Sequence, residues 1–195
     1  TMTLGNLAAF WQDDIRRLIG WSSVAQAGYV LMAVTVLGLS PDALSALLAF
    51  IASYAIGNLA AFAVVAYLRG RTAIADYDGL AKRRPLVATV LVVSFLSLVG
   101  IPPTVGFLGK LALFMTTVDG GYTWLAVVAA ANTVASLFYY ARVMGRAYFN
   151  APPEEIAVLD RSSGVAVLIG GIFVIGGAVL AGSAFTAFQL SQLLP

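Results

Sequence analysis

Cysteine and histidine are both absent from the 195 residues. Thiolate and imidazole are the usual ligands of iron–sulfur clusters, haem and catalytic zinc, so no redox centre, cofactor or metal site is expected in this chain. Disulfides are excluded outright. Charge is scarce too: only 10% of residues are charged, 61% are hydrophobic, and the mean hydropathy is +0.93. Such a composition rules out a soluble globular domain and places the chain among membrane proteins. Short alternating strands are missing, which argues against a closed barrel, and lipid tolerates no other strand architecture. The opening segment TMTLGNLAAFW has neither a charged n-region nor a small-residue cleavage site, so it does not read as a signal peptide.

What remains is an all-α polytopic transmembrane bundle. A bilayer core of roughly 30 Å takes about 20 apolar residues to cross. Five crossings are expected, at about 18–39, 43–69, 85–118, 122–149 and 163–188, preceded by residues 1–12, which read as the tail of a truncated transmembrane helix. On that reading Met2 is internal and the chain is the C-terminal part of a larger protein.

Arg and Lys set the expected orientation, because cytoplasmic loops hold an excess of them. Arg16 and Arg17 share one loop, Arg69, Arg71, Lys82, Arg83 and Arg84 another, and Arg142, Arg146 and Arg161 flank a third. The turns around Asp42 and Asp119 contain no cation. Alternate loops are therefore basic and are assigned to the cytoplasm, leaving the C-terminus outside. The same alternation requires 85–118 to cross once, as a discontinuous helix. The net charge of +2 and pI near 9.0 follow from these loops and imply no nucleic-acid partner; lipid, internal water and protons are the expected company.

The break is expected near 100–106. Pro102 and Pro103 lack amide hydrogens, and Gly100 and Gly106 permit sharp backbone change. Freed carbonyls cannot face lipid, and transporters use such breaks to make ion sites. Just beyond lies Lys110, nine residues before Asp119, which at roughly 1.5 Å per residue puts it about 13 Å deep. An intramembrane cation is expensive and usually functional, so Lys110 is the candidate proton relay. The alternative is a structural lysine, paired with a carboxylate from another helix or capping the exposed carbonyls. Two further polar faces could line a water path: Ser22, Ser23, Gln26 and Tyr29, then Asn132, Ser136, Tyr139 and Tyr140, with Tyr54 and Asn58 as a shorter third. Polar residues also glue transmembrane helices together, and that reading stays open for each stripe.

The segments DDIRRLIGWSSVAQAGYVLMAV, SYAIGNLAAFAVV, GIPPTVGFLGK and AVVAAANTVASLFYYARVMGRAYF together resemble the antiporter-like membrane subunits of respiratory complex I, the proton-pumping NADH:quinone oxidoreductase, and among them subunit N. Multisubunit sodium/proton antiporters share the individual motifs and are the alternative. The resemblance implies an inverted-repeat fold of fourteen helices, of which this chain would supply the end of the ninth onward. It also implies a translocase of the electron transport chain in a bacterial inner or plasma membrane, with flavin, iron–sulfur clusters and quinone held by partner subunits. By it, Lys110 matches the proton-relay lysine of the second broken helix. Where relatives often have histidine in the SSxxHxGY motif, this chain has Gln26, which can order water but cannot hold a charge near neutral pH.

Overall fold

A computed structural model describes residues 1–68, 71–152 and 164–177. The helices are α1 (Met2–Phe10), α2 (Ile15–Thr35), α3 (Ala43–Tyr67), α4 (Leu80–Arg83), α5 (Pro85–Val99), α6 (Val105–Asp119) and α7 (Thr123–Phe149). A 3-10 turn at Ile74–Tyr77 precedes α4, and a last apolar helix, α8, covers Gly164–Gly177. No strand occurs among the described residues. Arg69, Arg161, residues 178–188 of the last expected crossing and the C-terminus lie outside them.

Local chemistry accounts for the helix ends. The Asp14 carboxylate accepts from the amides of Arg16 at 2.9 Å and Arg17 at 3.1 Å, so α2 starts at Ile15 rather than near residue 18. It stops at Thr35 because the chain then turns through Gly38 toward Ser40. α5 opens with Pro85 in the first turn, where a missing amide costs nothing, and closes on Gly100 at φ 88°, a left-handed cap. Pro102 and Pro103, joined by a cis bond, follow at once, and helix resumes at Val105. Of these helices, α2, α3 and α7, with 21, 25 and 27 residues, are long and apolar enough to cross a membrane singly.

The helices pack as a bundle around two apolar clusters. One joins α1, α2, α3, α5 and α7 through Ile19, Val64, Phe95, Leu98 and Tyr140. The other joins α2, α3, α6 and α7 through Tyr29, Phe50, Leu113 and Ala129. On the basic-loop side, the segment 71–84 is pinned to α7. Arg146 donates to both Asp78 oxygens at 2.7 and 3.0 Å, Asn150 adds a bond at 3.0 Å, and the Gly79 amide donates to the Arg146 carbonyl at 3.0 Å. The guanidinium beside it holds the Asp78 carboxyl below the usual carboxylate range.

Candidate functional site around Lys110

Lys110 sits between the two clusters, 3% exposed. Its position follows from the local backbone. At Gly100, the amide turns back to the Leu96 carbonyl at 2.9 Å and the Ile101 amide joins it at 3.0 Å. This leaves the last carbonyls of α5, Leu98 and Val99, without helical partners. Lys110 Nζ donates to both, each at 2.9 Å. Its stem lies so close to Gly100 that a Cβ there would come within 2.9 Å of the lysine Cδ. The C-terminal end of α5 carries the negative pole of its dipole, so the ammonium is aimed at partial negative charge. Nζ also stands 4.6 Å from the centre of the Tyr29 ring, a cation–π distance.

α6 is drawn against α5 by a second contact. The Gly106 amide donates to Ser97 Oγ at 3.2 Å, and a Cβ on Gly106 would stand 1.8 Å from the Ser97 carbonyl oxygen. Only glycine permits this approach. Thr104 closes the remaining turn by donating through Oγ1 to the Ile101 carbonyl at 2.7 Å. Between α5 and α6 the amides of Gly100, Ile101, Thr104 and Gly106 and the carbonyls of Leu98, Val99 and Ile101 are thus paired within the protein.

Of the two structural alternatives for Lys110, carbonyl capping is the arrangement observed. Among the described residues no carboxylate pairs with it. Gln26 reaches the same place: its Nε2 donates to the Leu98 carbonyl at 3.3 Å, so it shares an acceptor with the lysine. Its Oε1 is buried with no partner.

The other polar candidates separate into pairs across helices. Ser22 bonds the Tyr140 hydroxyl, Tyr54 donates to Ser23 at 2.6 Å, and Tyr29 bonds Thr133 at 2.8 Å and the Ala129 carbonyl at 3.0 Å. Asn132 and Tyr139 meet at Asn6: the Asn6 amide donates to Asn132 Oδ1 at 2.9 Å, and Tyr139 donates to Asn6 Oδ1 at 3.1 Å. Ser136 turns back to the Thr133 carbonyl of its own helix at 2.6 Å. Asn58, like Gln26, has a buried oxygen without a partner. Ser22, Tyr29, Asn132 and Tyr139 thus hydrogen-bond between helices, while Gln26 and Asn58 each keep a buried oxygen without a partner. Sequence reasoning missed Asn6 and Thr133. A lone amide in an apolar run is the same signal that singled out Asn132, but residues 1–12 read as a mere tail.

A bundle of apolar helices, three of them long enough to cross a membrane, packed around a buried lysine, is the fold of an antiporter-like polytopic membrane protein. The family model described as NADH:quinone oxidoreductase/Mrp antiporter, TM matches residues 1–136, and the chain belongs to that family. It is similar to NADH-quinone oxidoreductase subunit N from a Mycobacterium species, 47% identical over 183 residues, covering 92% of this chain and 39% of the relative. NADH-quinone oxidoreductase subunit N 1 from Streptomyces griseus is 52% identical over 161 residues, covering 83% and 34%. The chain thus spans between a third and two-fifths of the length of these relatives. Among solved structures, a chain of respiratory complex I from Thermus thermophilus with bound aureothin superposes with a TM-score of 0.79 at 30% identity, covering 93% of this chain and 42% of that one. A chain of the Mrp complex from Dietzia, at 23% identity and a TM-score of 0.76 over 93% and 43%, shares the fold. The resemblance to subunit N of complex I holds, and the chain is a membrane protein.

Proposed function

We propose that this chain is part of a membrane subunit of a proton-translocating NADH:quinone oxidoreductase, in which Lys110 exchanges a proton along a half-channel. The relatives named subunit N support membership of such a complex. The observation that carries the relay is the pairing of Lys110 Nζ with two neutral carbonyls and, among the described residues, no carboxylate.

An ammonium has three N–H donors and the neutral amine has two. The bonds to Leu98 and Val99 use two, so both survive loss of the third proton, which passes to water. A carboxylate partner would be left as an unpaired buried charge at that step, which is costly. Carbonyls impose no such penalty. Lys110 is thus held in one place in both protonation states.

In this reading α5 and α6 form one discontinuous crossing interrupted over residues 100–104, the basic loops are cytoplasmic, and the C-terminus is external. Gln26 offers Oε1 to a water beside the lysine, and Asn58 offers Oδ1 to another. Ser22, Ser23, Tyr54, Tyr139 and Tyr140 supply hydroxyls between helices that rearranging hydrogen bonds can enlist. The chain contributes no redox chemistry; flavin, iron–sulfur clusters and quinone belong to partner subunits, and the membrane is a bacterial inner or plasma membrane.

Two observations test this. Purified with its native partners, the full-length protein should come with flavin and iron–sulfur subunits; only small hydrophobic subunits would instead identify a sodium/proton antiporter. A structure of that assembly should contain ordered water within hydrogen-bonding reach of Lys110 Nζ and Gln26 Oε1. A dry site, or a carboxylate of the assembly bonded to Nζ, would overturn the relay.

A further inference from the structure

We propose that the ring face of Tyr29 stabilises the proton-loaded form of Lys110 and so sets how fully that lysine loads, an inference that deepens the relay reading and rests on it. The carbonyls of Leu98 and Val99 keep their bonds from Nζ whether it is an ammonium or a neutral amine. Tyr29 adds an attraction that exists only for the cation. Nζ stands 4.6 Å from the ring centre, within cation–π range. The face of an aromatic ring carries the negative part of its quadrupole, which draws an ammonium and has no comparable hold on a neutral amine. Tyr29 is 1% and Lys110 3% exposed, so solvent competes little for the charge. An ammonium moved out of water gives up its hydration, and the ring replaces part of it.

The packing holds the ring in place for this contact. Its hydroxyl bonds the Ala129 carbonyl at 3.0 Å and Thr133 Oγ1 at 2.8 Å, both on α7. Phe50 of α3 and Phe114 of α6 flank the ring, with centroids at 5.9 and 6.3 Å. Lys110 is fixed independently, by the end of α5. The contact is therefore preorganised: both partners are already ordered, and forming it when the lysine loads requires no new side-chain ordering. The hydrogen bonds also separate this role from proton carrying. The phenol is engaged on α7, and it is the ring face that meets Nζ, so Tyr29 acts through Lys110.

The test uses the full-length protein in its assembled complex, reconstituted in proteoliposomes, with the proton translocation rate read at fixed pH and normalised to intact complex. Tyr29 is replaced by phenylalanine, then by phenylalanine bearing one, two or three ring fluorines, which drain electron density from the ring face at nearly constant shape. All of these lack the phenol, so its bonds to α7 drop out of the comparison. The logarithm of the rate should fall in equal steps with each fluorine, toward that of Tyr29→Leu. Tyr29→Leu should be about thirtyfold slower than Tyr29→Phe, the factor equivalent to about 2 kcal/mol for a desolvated cation–π contact. In a Lys110→Met background the series should be flat. A flat series with Lys110 present, in a complex whose Lys110→Met variant pumps less, would overturn the role of the ring and leave the relay standing. Wild-type pumping by Lys110→Met would overturn both. Equal rates for Tyr29→Phe and Tyr29→Leu, or a fluorine dependence that survives Lys110→Met, would also overturn the proposal.

Discussion

Replacing Gly106 by alanine tests how tightly α6 is held to α5. A Cβ there would stand 1.8 Å from the Ser97 carbonyl oxygen, 2.7 Å from its carbon and 2.9 Å from Oγ. All but Oγ are backbone atoms, so no rotamer change relieves the clash. Overpacking of this kind costs about 1–3 kcal/mol, and loss of the Gly106 amide bond to Ser97 Oγ adds about 1 kcal/mol. At 1.4 kcal/mol per factor of ten, a cost of about 2–4 kcal/mol raises local opening by roughly 30- to 700-fold. Hydrogen exchange of the amides from Gly100 to Lys110, measured in the assembled complex, reads this directly. The control is Gly145→Ala in α7, where a Cβ meets nothing within 4 Å. There alanine should be neutral or stabilise the helix by up to about 1 kcal/mol. Unchanged protection in Gly106→Ala, or equal loss in both variants, would refute the packing argument.

Asn6→Ala and Asn132→Ala should be non-additive, with a coupling of about 0.6–1.7 kcal/mol typical of polar contacts between membrane helices; a double-mutant cycle on complex stability measures it, and zero coupling would dissolve the pair. Gln26→Leu should leave stability nearly unchanged, because the Leu98 carbonyl keeps its bond from Lys110, yet slow proton transfer by removing the spare Oε1; an unaltered pumping rate would exclude Gln26 from the path. The Asp78 clamp titrates with acid. Its carboxyl is held below the ordinary value of 3.8 in the folded state, so the stability it contributes is complete above that value and is lost as pH falls through the folded one. Arg146→Ala removes the cause, and protection of residues 71–84 against hydrogen exchange should then lose its acid dependence.

Much of the architecture was legible because lipid imposes long apolar runs, and α2, α3 and α7 announce themselves by length alone. The stop near Gly100 was legible in Gly-Ile-Pro-Pro, whose backbone chemistry is local. Lys110 stood out for the same reason: one cation in an apolar tract has few innocent explanations. Its partners did not stand out. The carbonyls of Leu98 and Val99 lie twelve and eleven residues back along the chain, and a carbonyl leaves no mark in a residue name. Helical spacing likewise placed Ser22, Gln26 and Tyr29 on one face, but only the packing of α5 and α7 against α2 shows that the hydroxyls are paired while the Gln26 Oε1 is not. Asn6 escaped notice because nine residues of α1 are too few to signal a span, although tertiary contact with Asn132 gives them a defined place.

The central claim is that Lys110 loads and releases a proton. Lys110→Met keeps the volume of the stem and deletes the donor, and assembly is checked by recovery of the intact complex. The number of protons moved per electron pair, measured in proteoliposomes, should then fall below the wild-type value. The same stoichiometry from a fully assembled Lys110→Met complex would contradict the account.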